Sequence, residues 1–370
     1  MATQCSTNSL LGAPAFVITT GLLWLQYEFA LPLAMVFIMI FLLPFYRKLN
    51  LVSVYAYQEE RFGRTARTTL SVTFQFLRAF ATGVTVYGIS IVLQSIVGIP
   101  FALSVVILGV VTVIYDMLGG MAAVVISDVI QMVILYLGIV LCLVYSISEV
   151  GGVSEVFTQF ANLGDITHSE TFVGLTAIDF GGLGLSPDDQ YGFWPMLLGG
   201  LFLYVSYYGT DQTQVQRELS SKNIDDTNRS LMLNGMMRFP LVLTYCFLGV
   251  CIGAYIVKNP EFLQLLSEDG KANYNLAVPK FVTSVLPNGV IGLVIVALFS
   301  ASMFSLDSTI NSLSAATIKD LYEPFVQKGE IPPEKQLKLS RFFTVFWGAL
   351  IVFFSFFVGG ISDSVITPTS

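Results

Sequence analysis

The chain has 370 residues, of which 54% are hydrophobic and only 12% are charged; this excludes a soluble domain, whose surface needs more polar cover. The net charge of −7 offers no basic face for nucleic-acid phosphates. A single histidine, His168 in a predicted loop, leaves almost no material for histidine-ligated metals or Ser-His-Asp hydrolysis, so we expect neither an enzyme nor a bound cofactor.

In chain order, eight apolar runs are long enough to cross a bilayer, because a membrane helix needs about 20 mostly apolar residues. A ninth, shorter run over about 2–18 opens the chain. The longer runs cover about 25–46, 68–97, 100–118, 121–147, 193–216, 231–257, 288–317 and 339–360. The sequence therefore predicts an all-α polytopic protein with about nine membrane segments, integral to a plasma membrane or a bacterial inner membrane.

The charged residues of the connecting segments predict the orientation of the helices. Lysines and arginines concentrate in 47–67, 217–230 and 318–341, whereas 148–192 contains none and is acidic. Positively charged loops stay on the cytoplasmic side of a membrane. We therefore expect 148–192 and 258–287 to lie outside, and counting the apolar runs gives the same alternation.

The first and last residues suggest a fragment or a truncated gene model. The opening run is shorter than a membrane span, and it begins with the polar stretch ATQCSTNSLLG over 2–12. A broken helix at this stretch would expose backbone carbonyls to a hard cation such as Na⁺. An N-terminal tail at the membrane surface would explain the same residues.

Small and polar residues follow one face of the run 288–317. Ala301, Ser305, Ser308 and Ser312 recur at i, i+4, i+7 and i+11. Small residues let helices approach closely, and hydroxyls can ligate an ion, so both a packing seam and an ion site fit the serines. A packing seam explains poorly why Asp307 lies deep in the same run, since a carboxylate in hydrocarbon is costly.

Three further polar positions interrupt apolar runs. Asp128 lies about two turns inside its helix and is either functional or an interfacial cap. Tyr204 and Tyr207 precede Gly209 and predict a stacking platform beside a helix break; an interfacial aromatic belt is the alternative. For Glu28 two positions fit the sequence, in a functional site or at the outer interface.

Four of these segments together resemble the sodium:solute symporter family, which includes the sodium–glucose cotransporters, proline permease and the iodide, multivitamin and monocarboxylate symporters. They are SLDSTINSLSAATIKDLY, ISDVIQMVILYLG, LPFYRKLNLVSVYAYQEERFG and YYGTDQTQVQREL. The resemblance implies a leucine-transporter-type fold with two inverted repeats and with broken first and sixth helices. It implies a single transmembrane transporter domain, 1–370, with the first repeat over about 1–147, an external loop over 148–192 and the second repeat over about 193–370, without its last core helix.

The resemblance also implies a sodium site between the first and eighth core helices. Its backbone carbonyls fall on Ala2, Cys5 and Ala301, and its hydroxyl positions fall on Ser305 and Phe304. Because a phenyl ring offers no oxygen, Phe304 costs this site a ligand.

Some members of the family have a second sodium site. Its counterparts here are Asp128 and the eighth-helix positions Ser305, Asp307 and Ser308. The carboxylate of Asp307 stands where other members have a hydroxyl, so it would either compensate for Phe304 or bind a proton.

The solute pocket carried over from sugar-transporting members falls on Ser9, Glu28, Leu31, Tyr204 and Arg238. Tyr207 matches their aromatic inner gate. Leu31 and Tyr204 are not the sugar-binding residues, so sugar is not favoured. Arg238 is a cation among the middle helices, and either an anionic solute or Asp211 would pair with it.

The function expected from the resemblance is sodium-coupled symport of a small polar or anionic solute by alternating access. The expected partners are Na⁺, the solute and the lipid bilayer, with no nucleic acid; the oligomeric state is open. A sodium-independent or proton-coupled transporter, or a non-transporting solute sensor of the same fold, remains the alternative because of Phe304.

Overall fold

The computed structural model describes residues 7–49, 53–167, 171–181, 191–221, 223–268, 271–327 and 331–365. The sodium-site candidates Ala2 and Cys5 lie outside these residues, as does His168. Helices make up nearly all of the described chain, and the one exception in regular structure is a pair of two-residue antiparallel strands.

The helices and strands follow the predicted order along the chain. The first six helices are α1 (Thr7–Thr20), α2 (Trp24–Lys48), α3 (Val54–Phe62), α4 (Arg64–Val97), α5 (Phe101–Gly120) and α6 (Ala123–Val150). The next six are α7 (Val153–Ala161), α8 (Leu163–Thr167), α9 (Phe193–Thr210), α10 (Gln212–Leu219), α11 (Ile224–Lys258) and α12 (Glu261–Leu265). Then come β1 (Ser267–Glu268), β2 (Lys271–Ala272), a 3₁₀ turn (Tyr274–Leu276), α13 (Ala277–Val285), α14 (Asn288–Ala316) with a π-helical continuation (Thr317–Gln327), and α15 (Pro333–Val365).

Seven helices of the described chain are long and apolar enough to cross a membrane: α2, α4, α5, α6, α11, α14 and α15. Helix α1 is apolar but shorter. The predicted run 193–216 is two helices, α9 and α10, instead of one continuous span. The multi-pass character expected from composition is therefore present.

Two glycines shape the turns between α4, α5 and α6. Gly98 ends α4 with φ +73°, in the left-handed region. Gly120 has φ +54° and ψ −152°, and the non-helical backbone there separates α5 from α6. Residues with a Cβ avoid both conformations, so glycine at these positions fixes where one membrane segment stops and the next begins.

Helix α14 lies at the centre of the packing, in contact with α4, α5, α6 and α15. A Cβ added at Gly138 in α6 would come within 2.7 Å of the Ala297 Cβ in α14, so the glycine allows close approach of these helices. On the other side, α1 packs along α11, where a Cβ at Gly249 would lie 2.8 Å from the Pro14 Cα. From Ala297 to Ala316 no residue of α14 is exposed, whereas Leu293 and Val296 nearer its start are, so protein surrounds the later part of the helix.

The helix break expected near the YYG stretch lies at Asp211. Helix α9 ends at Thr210, and Asp211 is extended, with φ −78° and ψ 122°. The Asp211 carboxylate then accepts a 2.8 Å hydrogen bond from the Thr213 amide and caps α10. Tyr46 donates to the Gly209 carbonyl at 2.8 Å, which satisfies one carbonyl at the end of α9.

Candidate ion and solute sites

The polar stripe of α14 faces protein, not lipid. Ala301, Phe304 and Ser308 are buried, and Ser305 is half-buried. The Ser308 hydroxyl donates to the Phe304 carbonyl at 2.6 Å. The Phe304 ring is fully enclosed and offers no oxygen, so among the described residues the hydroxyl of the first predicted sodium site comes from Ser305 alone.

Asp307 is completely buried and well supplied with donors. The Tyr115 hydroxyl donates to its Oδ2 at 2.6 Å, and the Ser308 hydroxyl lies 3.1 Å from its Oδ1. The Ser308 amide also donates to Oδ1. A buried carboxylate needs such donors to remain in the protein interior. Because both oxygens of Asp307 have hydrogen-bond partners, its side chain is held in one orientation.

Asp128 is buried against a cation. Its Oδ2 lies 3.0 Å from the Arg217 Nη1, and the Arg217 Nη2 also donates to the Ser308 hydroxyl. The interfacial-cap alternative for Asp128 is therefore wrong. So is the assignment of Arg217 to a cytoplasmic loop: α10 continues to Leu219 and carries the guanidinium between α6 and α14. The structure thus brings Asp128, Asp307 and Ser308 together, with Arg217 among them.

Asp116 belongs to the same region and was missed from the sequence. It is only 3% exposed, and neither carboxylate oxygen has a hydrogen-bond partner among the described residues. Asp307, Asp128 and Arg217 are its electrostatic neighbours. A carboxylate within the run 100–118, two residues before its end, is the signal, by the same reasoning that applies to Asp307.

Glu28, Tyr204 and Arg238 form a second buried polar cluster. The Tyr204 hydroxyl donates to the Glu28 Oε2 at 3.1 Å, and the Arg238 Nε lies 3.5 Å from the same oxygen. The Glu28 side chain is 1% exposed, so it faces the interior of the helix bundle. Leu31 is fully buried in the hydrophobic cluster that contains Tyr204. Three predicted solute-site residues are therefore brought together.

Tyr207 lies in a different cluster, at the break between α9 and α10. Its hydroxyl accepts a 3.0 Å hydrogen bond from Gln214, and the Arg78 guanidinium lies 5.6 Å from the centre of its ring. Arg78 also lies 3.6 Å from the Asp211 carboxylate. The cation beside Asp211 is thus Arg78, an intramembrane arginine that sequence reasoning missed, and not Arg238.

The remaining solute-site candidate, Ser9, is half-buried near the start of α1, and α1 contacts α14. Within the described residues, no group of three or more His, Cys, Asp or Glu side chains is arranged to hold a metal ion.

A bundle of apolar helices with ion pairs and hydroxyls buried between them defines a multi-pass membrane protein with interior polar sites. The model of the sodium:solute symporter family matches residues 1–359, and the chain belongs to this family. The resemblance drawn from the motifs is confirmed, and membership in a family of transporters agrees with the expectation that the chain is not an enzyme.

Two relatives illustrate the similarity. The sodium-dependent multivitamin transporter of Oryctolagus cuniculus is 31% identical over 95% of this chain and 52% of its own length. The sodium/sialic acid symporter of Aliivibrio fischeri is 30% identical over 94% of this chain and 66% of its own length. The chain thus spans about half of the first relative and about two thirds of the second.

A solved structure shows the fold. A Na⁺-coupled sialic acid symporter in a substrate-bound outward-open state superimposes with a TM-score of 0.83, covering 99% of this chain and 73% of that chain at 24% identity. The predicted leucine-transporter-type architecture is therefore confirmed. The division into two repeats and an external loop stays a prediction.

Proposed function

We propose that this protein carries out sodium-coupled symport of a small anionic or polar organic solute by alternating access. The observation that carries the proposal is the group of buried oxygens around α14: three carboxylates, Asp116, Asp128 and Asp307, lie near one guanidinium, Arg217. Buried acids outnumber buried bases at this place and need a compensating cation, which is either Na⁺ or a proton; membership in the sodium:solute symporter family favours Na⁺.

The ion sites in this proposal keep the positions given by family resemblance. They are the carbonyls of Ala2, Cys5 and Ala301, the hydroxyls of Ser305 and Ser308, and the carboxylates of Asp128 and Asp307. In the structure, Arg217 contacts both Asp128 and Ser308, so these two are less available to an ion than Asp307.

The solute site is assigned to Ser9, Glu28, Tyr204, Tyr207 and Arg238. An anionic solute fits this assignment because Arg238 is buried in the bundle and its neighbour Glu28 has a second donor in Tyr204. A solute carboxylate would share the guanidinium with Glu28, a geometry that arginine serves well. The sialic acid of the bacterial relative is an anion of this class.

Alternating access needs elements that change place while the site stays between them. The break at Asp211 divides the sixth core helix into α9 and α10, and Tyr207 lies beside it in contact with Gln214. A short extended segment between two helices absorbs backbone rotation at little cost, which supports a gating role for this region.

The test is solute uptake into proteoliposomes that contain the purified full chain. Radiolabelled sialic acid and a short monocarboxylate are offered with an inward sodium gradient or with choline in its place. Uptake that exceeds the choline level supports symport. Equal uptake under both conditions contradicts sodium coupling, and solute binding without any uptake contradicts transport.

Phe304 supplies a matched pair of variants for the same assay. Phe304→Ser and Phe304→Ala remove the same buried ring, but only the serine returns a hydroxyl to the predicted sodium site. We expect about tenfold lower half-saturating sodium for Phe304→Ser than for Phe304→Ala, because one ligand to a charged group is worth roughly 1.5–3 kcal/mol. Equal values for both variants would show that position 304 does not face the ion.

The same residue favours a second candidate function. With Phe304 in place of a ligand, a sodium-independent or proton-coupled transporter, or a solute sensor, fits the described residues of the first site. Uptake driven by a proton gradient in choline medium would favour the former, and saturable solute binding without uptake would favour the latter.

A further inference from the structure

Asp116 is a buried acid whose partner is not part of the described protein. It projects from α5, is 3% exposed, and leaves both Oδ1 and Oδ2 without a donor among the described residues. Buried carboxylates in proteins are almost always paired, and an unpaired one is strongly destabilising. The side chain therefore requires a bound cation, a proton that neutralises it, or a large energetic cost.

The neighbours of Asp116 add further acceptors and few donors. Asp307 and Asp128 are its acidic neighbours, on α14 and α6, and Arg217 on α10 is the basic one. Tyr115, next to Asp116 in α5, donates a hydrogen bond from its hydroxyl to Asp307. It also forms a side-chain hydrogen bond with Gln131 of α6. The Gln131 Oε1 is itself buried and without a partner among the described residues.

Among the described residues, the donors nearest to Asp116 are engaged with other groups. The Arg217 guanidinium lies against the Asp128 carboxylate and donates to the Ser308 hydroxyl. The Tyr115 hydroxyl proton points to Asp307. The surroundings of Asp116 contain more acidic than basic side chains. The side-chain atoms without a partner there are oxygens of Asp116 and Gln131, and oxygens are the ligands that hard cations prefer.

We propose that Asp116, together with Asp307 and the Gln131 Oε1, binds a sodium ion between α5, α6 and α14. This inference rests on the proposed function and deepens it by naming the ligands of the coupling ion. It differs from the second site carried over from the family, because Asp128 and Ser308 are held by Arg217 and the added ligand comes from α5.

Removal of an ion ligand has a consequence that removal of a merely structural acid does not. Asp116→Asn keeps the side-chain volume but removes a buried charge that has no partner in the sodium-free protein. We expect the sodium-free variant to be at least as stable as the wild type, because the desolvation penalty and the repulsion from Asp307 disappear. Its stabilisation by sodium should be lost at the same time.

The experiment measures the Tm of the purified full chain in detergent and the binding of radioactive sodium, both as NaCl replaces choline chloride at constant ionic strength. We expect Asp116→Asn to raise the sodium Kd by at least about tenfold. Gln131→Leu, which removes only a neutral ligand, should raise it less. Asp225→Asn removes a charge from the exposed start of α11 and should leave the Kd unchanged.

Two outcomes separate this inference from the proposed function. If the wild type shows sodium-driven uptake but Asp116→Asn keeps the wild-type Kd, the site is wrong and symport stands. If Asp116→Asn loses sodium binding while a sodium gradient drives no uptake into wild-type proteoliposomes, the site stands and symport is wrong. A wild-type Kd in Asp116→Asn with altered dependence of binding on pH would assign a proton to Asp116 and overturn the sodium site.

Discussion

Arg238 and Glu28 face each other inside the helix bundle, with side chains 6% and 1% exposed. Two charges removed from water gain little net free energy from pairing, but either one left without the other is costly. The pair therefore contributes little to stability. Its consequence is that a guanidinium stays in the interior of the bundle, where the proposed anionic solute would bind it.

A double-mutant cycle on this pair tests that description. Glu28→Gln removes the counter-charge that the structure shows beside Arg238, and we expect it to cost about 3–5 kcal/mol of unfolding free energy. Arg238→Met should be similarly harmful. The double variant should cost clearly less than the two single costs together, because it leaves no charge behind. Unfolding followed in detergent measures all four proteins, and additive costs would show that the two charges do not interact.

Polar residues inside apolar runs could be found from the sequence, but their partners could not. Asp128 and Asp307 were singled out because carboxylates are rare in hydrocarbon. Arg78 and Asp116 meet the same criterion and were overlooked within long apolar runs. Arg217 was placed in a loop because the sequence does not show that α10 continues past the break. Which acid pairs with which base depends on helix packing, which spacing along the chain does not determine.

At the scale of helices, the two breaks inside the bundle indicate the positions of the polar sites better than the regular helical segments do. Gly120 separates α5 from α6 with φ +54°, and Asp211 separates α9 from α10 while it caps the second. Both interruptions lie beside buried charges: Asp116 is one turn before Gly120, and Arg78 faces Asp211. Each break thus places an interruption of the helix close to a charged side chain.

Replacement of Gly120 by alanine should expose the cost of this turn. No atom lies within 4 Å of a Cβ at this position, so the penalty is backbone strain and not a clash. We expect about 1–3 kcal/mol lower stability, measured as a lower Tm in detergent.

Gly199→Ala is the matched control for Gly120→Ala. Gly199 lies inside α9, also has no atom within 4 Å of its Cβ, and has no positive φ. Alanine is the better helix former by about 1 kcal/mol, so this change should be neutral or stabilising. Equal effects of the two substitutions would contradict the assignment of strain to position 120.

The apolar runs located most helices because lipid imposes a minimum length on each span. Their ends were less well placed. The run predicted over 231–257 is a helix from Ile224 to Lys258, and 339–360 lies within Pro333–Val365. Polar turns at the membrane surface continue these helices, and a search for apolar runs does not include polar residues.

Across the whole molecule, one buried acid joins segments that are far apart in the chain. Asp320, after α14, accepts from Arg67 at 2.7 and 2.9 Å, from Ser53 at 2.9 Å and from Ser71 at 3.0 Å. The Trp347 indole of α15 donates to Thr317 at 2.9 Å, in the same π-helical segment. The predicted cytoplasmic loops 47–67 and 318–341 are thus one connected structure and not independent linkers.

Asp320→Asn should loosen all of these segments together. The amide presents N–H donors to a guanidinium and two hydroxyls that already donate, so we expect a loss of about 3–5 kcal/mol, as for other broken buried pairs. Hydrogen exchange should speed up jointly in the backbone of 53–75 and 317–327, because each segment holds the other in place.

Glu323→Gln is the control for Asp320→Asn, because it breaks an ion pair with Lys319 that is 2.5 Å long but partly exposed. Such a surface pair contributes only about 0–1 kcal/mol, so the exchange rates should stay close to those of the wild type. Faster exchange confined to 317–327 in Asp320→Asn would show that α3 and the start of α4 are held by other contacts. Joint loosening would instead identify Asp320 as the connection that must open if the two halves of the protein are to move apart on this side of the membrane.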